Sequence, residues 1–188
     1  LNKVKSKVLD VGCGRQLLRK HIEDMGLKYV GVDHPEIYKR QRGMIKPDIL
    51  ADITKLPIKC SSYENVLLLM VLAHLPKPFE SIKEVTRVMK KNGLLFLSSV
   101  ENYPPHDLPD DYFRYRLSGL ESLCDSAGLK VIKKYSWGNF WQVNAVNFNM
   151  YILQSLKYIW DKNNNLITVG LLLVLTYPLI LLSNVIGI

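Results

Sequence analysis

Residues Lys7–Gly14, KVLDVGCG, constrain this chain more than any other stretch: a short apolar run ends in two glycines, and a helix is predicted from Leu17 onward. A Val/Leu run bounded by glycines fits a parallel strand covered on both faces. Gly12 and Gly14 then let the backbone approach a ligand more closely than a Cβ would allow. Asp10, at the strand's end, is placed to face the same crevice. Nineteen residues past Gly14, a second short apolar strand, YVGVD, ends in Asp33. A carboxylate there is the usual partner of a ribose diol in a doubly wound fold. The expectation is an α/β chain with a Rossmann-like, doubly wound, mostly parallel sheet that holds a nucleotide-like cofactor.

A dinucleotide fingerprint, G-x-G-x-x-G/A, requires a small residue at position 17, where this chain has Leu17. The sequence D-V-G-C-G instead resembles motif I of the class I S-adenosylmethionine-dependent methyltransferases. The resemblance implies that the turn wraps the amino-acid part of S-adenosylmethionine and that the Asp33 position binds the ribose hydroxyls. Gln16 departs from the pattern, standing where most members carry a third glycine.

The resemblance runs over roughly the first 135 residues. Asp48–Asp52, DILAD, reads as a third strand, and ITKLP after it resembles the family's acid-x-x-x-Leu-Pro element. That likeness implies that Asp52 meets the adenine amino group and Ile53 lines the ring. Tyr63–Leu75 resembles the fourth strand and the turn after it, with Ala73 in place of a usual Glu. Ile82–Ser98 resembles the helix, glycine turn and fifth strand, with Asn92-Gly93 ending the helix. The implied cofactor-binding set is Asp10, Gly12, Cys13, Gly14, Asp33, His34, Asp52, Ile53 and Leu69.

The chain has 188 residues, about one domain, and is 48% hydrophobic, enough for a core. Cys13, Cys60 and Cys124 are too few and scattered for a disulfide framework, which points to a reducing compartment. They show no metal-ligand spacing, and Cys13 reads as a small packing residue. The net charge of +8 is spread over Lys3–Lys7, Lys39–Arg42 and Lys90–Lys91 with no repeated aromatic platform. A solvated face or an anionic membrane surface accounts for it, and no nucleic-acid partner is expected.

The character changes after about Tyr135. Residues 166–188 hold no charged side chain over 23 positions, about 34 Å as a helix. Tyr151, Lys157, Tyr158, Trp160 and Lys162 stand just upstream, an aromatic and basic border of the kind found at membrane interfaces. Gly170 and Pro178 allow the run to break into two shorter helices. The expected organisation is a cofactor-binding domain over 1–148 and a hydrophobic, membrane-associated helical segment over 149–188, at the cytoplasmic face of a membrane. A buried dimer or core helix is the alternative. KVIKKY, Lys130–Tyr135, is expected as a sixth strand, while nothing after the apolar run reads as the seventh strand usual in this family. With no initiator Met at Leu1, the chain reads as a fragment.

Methyl transfer from a sulfonium is an in-line displacement, so holding donor and acceptor in near-attack geometry supplies most of the rate. A hydroxyl acceptor also benefits from a base. Asn102–Arg116, NYPPHDLPDDYFRYR, follows the fifth strand and is expected over the crevice, with His106 as the candidate general base. His74 reads as a structural residue of the turn after strand four. The Pro-His, Asp-Tyr-x-Arg, Ser118-Gly119-Leu120 and Ala127-Gly128-Leu129 elements resemble a subset of these methyltransferases found with bacterial cell-surface glycan assembly. That resemblance implies a small-molecule or lipid-linked saccharide acceptor, and a polyprenyl quinone precursor fits similarly. Two other classes stay open: a nicotinamide-dependent oxidoreductase, and a non-catalytic membrane-anchored module suggested by Gln16 and Ala73.

Overall fold

The computed structural model describes residues 6–40, 45–163, 170, 174–178 and 180. Five parallel strands form one sheet in the order β3-β2-β1-β4-β5: β1 Lys7–Val11, β2 Lys28–Asp33, β3 Ile49–Leu50, β4 Tyr63–Leu69 and β5 Met89–Ser98. Helices α1 Arg19–Asp24, α2 Pro35–Arg40, α3 Pro78–Val88 and α4 Leu117–Ser126 connect or follow them. The expected mostly parallel Rossmann-like sheet is thus present.

Alternation along the strands divides the interior into two layers, because successive side chains leave a strand on opposite faces. Leu9, Val11, Val32, Val66 and Leu68 join Ile82, Val85 and Val88 of α3 and Leu123 of α4 in the larger core. Val8, Tyr29 and Leu67 pack with Cys13 and with Ile22 of α1 on the other face. In α3, Pro78, Ser81, Ile82, Val85 and Val88 are buried at helical spacing, and Pro78 opens the helix where its missing N–H costs nothing.

Two expected elements differ. Helix α3 ends at Val88, and Asn92-Gly93 lies inside β5, not at a helix end. Asn92 takes φ 61 there, and a Cβ on Gly93 would stand 2.9 Å from the carbonyl oxygens of Glu64 and Lys90. The pair makes the register irregularity opposite Tyr63–Asn65, a bulge that only a residue without Cβ can close. Lys130–Tyr135 forms no strand; Ile132 and Tyr135 are each 75% exposed.

The chain divides into two compact units, Leu1–Glu101 with Asp107–Lys133, and Asn102–His106 with Lys134–Ile188. The second holds α5, Phe140–Asn163, an unbroken 24-residue helix, so a boundary at 148/149 would fall inside it. Asn139 caps α5: the Gln142 N–H donates to Asn139 Oδ1 (2.9 Å), and the Asn139 N–H donates to Gln142 Oε1 (3.0 Å). Ala145, Ile152 and Leu156 form its buried stripe, while Trp137, Phe140, Trp141, Tyr151 and Tyr158 are exposed. Among the described residues, no helix is long and apolar enough to cross a membrane. Most of the uncharged run 166–188 lies outside the described residues.

Candidate active site

Between β1 and β4 the strand order reverses direction, and in open α/β sheets ligands bind outside the carboxyl ends of the strands at that point. The chain builds a cleft of about 720 Å³ there. Its walls come from the turn after β1 (Gly12, Gly14), the end of β2 (Asp33, His34), the loop after β3 (Asp52, Ile53, Thr54), the turn after β4 (Met70, Val71, His74, Leu75) and the loop 107–112.

The turn after β1 is held from beneath: the Gly12 and Cys13 N–H groups both donate to Val32 O, at 2.8 and 3.0 Å. Gly12 has φ +74, and a Cβ there would stand 2.3 Å from Val71 Cγ2, so packing against the turn after β4 requires glycine. Gly14 has φ +49, and a Cβ there would meet nothing within 4 Å. Its N–H donates to Asp33 Oδ2 (2.8 Å), and the His34 N–H donates to Asp33 Oδ1 (2.7 Å). Each carboxylate oxygen therefore spends one lone pair on the backbone and keeps acceptor capacity.

Gln16 also takes a left-handed conformation, φ 55, and is 4% exposed. Its Nε2 donates to the Ile45 and Lys46 carbonyls (3.0 and 3.1 Å), and its Oε1 accepts from Arg19 Nε (2.7 Å). The residue in the third glycine's place thus keeps a glycine-like backbone and ties the turn to the loop before β3. Leu17 is 80% exposed, so its bulk does not decide which cofactor the turn admits.

Farther along, Asp52 Oδ1 accepts from both the N–H and the hydroxyl of Thr54, at 2.8 Å each. The bond from the Thr54 N–H is the main cause holding the Asp52 carboxyl below its usual pKa. Glu84 anchors the same loop by accepting from the Leu56 N–H (2.8 Å), while Arg87 donates to the Leu56 and Ile58 carbonyls.

Of the nine expected cofactor residues, Gly12, Gly14, Asp33, His34, Asp52 and Ile53 line the cleft; Asp10, Cys13 and Leu69 do not. Strand parity explains Asp10 and Leu69, which share a face with Val8 and Leu67. Asp10 is buried and accepts from the Tyr29 hydroxyl (2.5 Å), and Leu69 packs against the smaller core. Burial, with help from the Asp33 charge, raises the Asp10 pKa, and the Tyr29 bond opposes the rise. Cys13 turns its sulfur toward Gly31, and burial pushes its thiol pKa up to about 12. His106 belongs to the unit of α5, where its ring meets Tyr103 edge-on with centroids 4.8 Å apart. Met70, at φ 59, was not legible as a cleft residue, because a methionine inside an apolar run carries no turn signal.

A glycine turn, a strand-end carboxylate and a switch-point cleft define a Rossmann-like domain with a ligand-sized cleft at its switch point. Residues 9–97 match the family described as a methyltransferase domain. The chain is 30% identical over 108 residues to a ubiquinone biosynthesis O-methyltransferase of Xanthomonas oryzae pv. oryzae, covering 53% of this chain and 45% of that protein. It is 26% identical over 151 residues to a tRNA U34 carboxymethyltransferase of Campylobacter jejuni, covering 69% and 52%. The chain spans about half the length of these curated relatives. A SAM-dependent methyltransferase from Archaeoglobus fulgidus shares the fold with a TM-score of 0.53 at 18% identity, covering 79% of each chain. Residues 9–97 thus resemble a methyltransferase domain and the fold is shared with an S-adenosylmethionine-dependent methyltransferase, which makes S-adenosylmethionine the implied cofactor. The site suits that group: open space at Gly14, acceptor capacity on Asp33, and the low-pKa carboxylate of Asp52 beside apolar Ile53.

Proposed function

We propose that this chain transfers the methyl group of S-adenosylmethionine to a hydroxyl oxygen of a small-molecule or lipid-linked acceptor. The observation that carries the reading is the Gly14–Asp33–His34 bracket at the switch point, where a nucleoside diol finds acceptors and the open turn leaves room beside it. In this reading Asp33 holds the ribose hydroxyls, Asp52 accepts from the adenine amino group, Ile53 and His34 border the ring, and Gly12 and Gly14 carry the amino-acid end. When bound, the cofactor supplies an electrophilic methyl on sulfur. The chain's part is to hold the acceptor oxygen in line and to take its proton.

The acceptor region of the cleft has apolar walls, Met70, Val71, Leu75 and Leu108, beside Tyr112 and His74. That favours an acceptor with an apolar body and a polar reacting end. One relative is named for ubiquinone biosynthesis and another for tRNA U34. The apolar walls fit the first type of acceptor better. A membrane location agrees with such an acceptor and with the exposed aromatics of the second unit, Trp137, Trp141, Tyr151 and Tyr158. Gln16 speaks against a degenerate module, since it preserves the turn's backbone.

Calorimetry of the full chain with S-adenosylmethionine, S-adenosylhomocysteine and NAD side by side tests the reading. The first two are expected to bind and NAD to give no heat. Binding of NAD alone would make the chain an oxidoreductase, and binding of none would make it a non-catalytic module.

A further inference from the structure

An ion pair bridges the cleft from one wall to the other. Arg40, the last residue of α2, donates from Nη2 to Asp110 Oδ2 at 2.5 Å, and both residues line the cleft. They arrive from opposite sides of the switch point. Helix α2 follows β2 and its Asp33, whereas the loop 107–112 is fastened to the turn after β4 through Ala73. Because β1 lies between β2 and β4 in the sheet, the pair joins elements about 10 Å apart, with the strand that leads into Gly12 and Gly14 between them.

The two ends of this bridge are held by different forces. On the β4 side, the Tyr112 and Phe113 N–H groups converge on Ala73 O (2.8 and 3.2 Å), and the Asp110 N–H donates to Asp107 O (3.1 Å). The Asp110 carbonyl oxygen also lies 2.6 Å from His74 Nδ1. These are bonds to backbone groups, which salt screens little. On the β2 side the link is a pair of charges, with the Arg40 side chain 51% exposed and that of Asp110 28%. Water and ions reach it, so it opens at small cost. Leu108, two residues before Asp110, lines the cleft on the same loop.

We propose that the Arg40–Asp110 pair is a strap across the cofactor cleft that opens for the cofactor to enter and for its demethylated product to leave, and that Arg40 is thereby the positioning residue for the Leu108–Asp110 wall. This rests on the methyl-transfer reading. With the strap shut, Leu108 stands at the acceptor region and the cofactor is enclosed. With it open, the cofactor exchanges while that wall is displaced. Cofactor exchange and acceptor seating therefore exclude one another, which places the cofactor first in and the acceptor second. The pair uses no group that the reading gives to the cofactor, so its strength adds equally to the barriers for entry and exit and cancels from the affinity.

The test is the kinetics of S-adenosylhomocysteine binding to the immobilised full chain, followed by surface plasmon resonance. This ligand has no net charge at neutral pH, so salt acts on the strap and not on diffusional encounter. Arg40→Ala is expected to raise the association and dissociation rate constants together by about 1.5–5-fold, the range that a partly exposed ion pair supplies, and to leave their ratio unchanged. Asp110→Asn should do the same, and the double variant should be no faster than either single one, because all three lose one and the same bond. High ionic strength should speed the wild type and leave Arg40→Ala as it is. Wild-type rates in Arg40→Ala, or single effects that multiply in the double variant, would overturn the proposal. So would a rise in the dissociation rate alone, which would make Arg40 a contact of the ligand. A wild-type chain that binds no S-adenosylhomocysteine has a different meaning: it overturns the cofactor reading itself, and the strap with it.

Discussion

Gly14 and Asp33, 19 residues apart in sequence, are joined by a 2.8 Å hydrogen bond from the glycine N–H to the carboxylate Oδ2. One side chain thereby fixes the turn after β1 and keeps acceptor capacity at the cleft, which the proposed reading assigns to a ribose. Asp33→Ala is expected to remove both roles and weaken S-adenosylmethionine binding by about 1.5–3 kcal/mol, the scale of hydrogen bonds to a charged group. That corresponds to roughly 10–150-fold in Kd. Asp33→Asn, which can still accept from Gly14, should fall between. A calorimetric titration in which Asp33→Ala binds as tightly as wild type would remove Asp33 from the site.

Gln16 separates backbone strain from side-chain bonding. A non-glycine residue held at φ 55 costs about 1–2 kcal/mol. Its buried amide repays part of this through the Ile45 and Lys46 carbonyls, at about 0.5–1.5 kcal/mol per bond. Gln16→Gly loses the bonds but relieves the backbone, whereas Gln16→Ala loses the bonds and keeps the strain. Urea unfolding should therefore rank wild type first or level with Gln16→Gly, and Gln16→Ala below both by about 1 kcal/mol or more. Equal stability of the two variants would show that φ 55 carries no penalty here.

The strand-turn-carboxylate pattern was legible because each part has a local cause: apolar runs for parallel strands, glycines for φ +74 and +49, Asp33 at a strand end. The loop Asp52–Ile53 could be placed at the cleft through its resemblance to a known motif. Side-chain direction was less legible. Asp10 stands two residues before Gly12, yet strand parity turns it to Tyr29. The setting of His74 was hidden as well, since its ring bonds to the carbonyl of Asp110, 36 residues later. Position 16 misleads as a motif departure, because only the backbone angle shows that glutamine can do a glycine's work there.

Asp10 makes stability depend on pH in a specific direction. Burial raises its folded pKa above the unfolded value, so between the two the folded state binds more protons. Stability then falls as pH rises through that window, and the cost of the buried charge is fully present at pH values above it. Asp10→Asn keeps an acceptor for the Tyr29 hydroxyl and removes the charge. Relative to wild type, Asp10→Asn should gain stability as pH rises from acid to neutral. Tyr29→Phe, which leaves the carboxylate without its donor, should steepen the wild-type loss. Denaturant midpoints measured across that range would be parallel for wild type and Asp10→Asn if the carboxyl did not carry the effect.

The last prediction concerns whether the protein binds a membrane, as proposed, and through which of its features. The run 166–188 holds 23 residues without a charged side chain, a composition that favours an apolar environment. The exposed Trp137, Trp141, Tyr151 and Tyr158 of the second unit supply amphipathic rings of the kind that settle at headgroup depth. Lysines near an anionic surface contribute only about 1 kcal/mol each and are screened by salt. Apolar and electrostatic causes therefore separate at high ionic strength. The full chain is expected to stay in the membrane fraction in concentrated salt and to leave it with detergent, and a chain ending near Lys162 should lose most of that retention. Replacing Trp137 and Trp141 by alanine in the full chain should weaken retention without abolishing it, because the uncharged run holds many more apolar residues than these two. A full chain that is soluble without detergent as a defined dimer would instead make the run a protein–protein interface, and release by salt alone would assign retention to the net charge of +8.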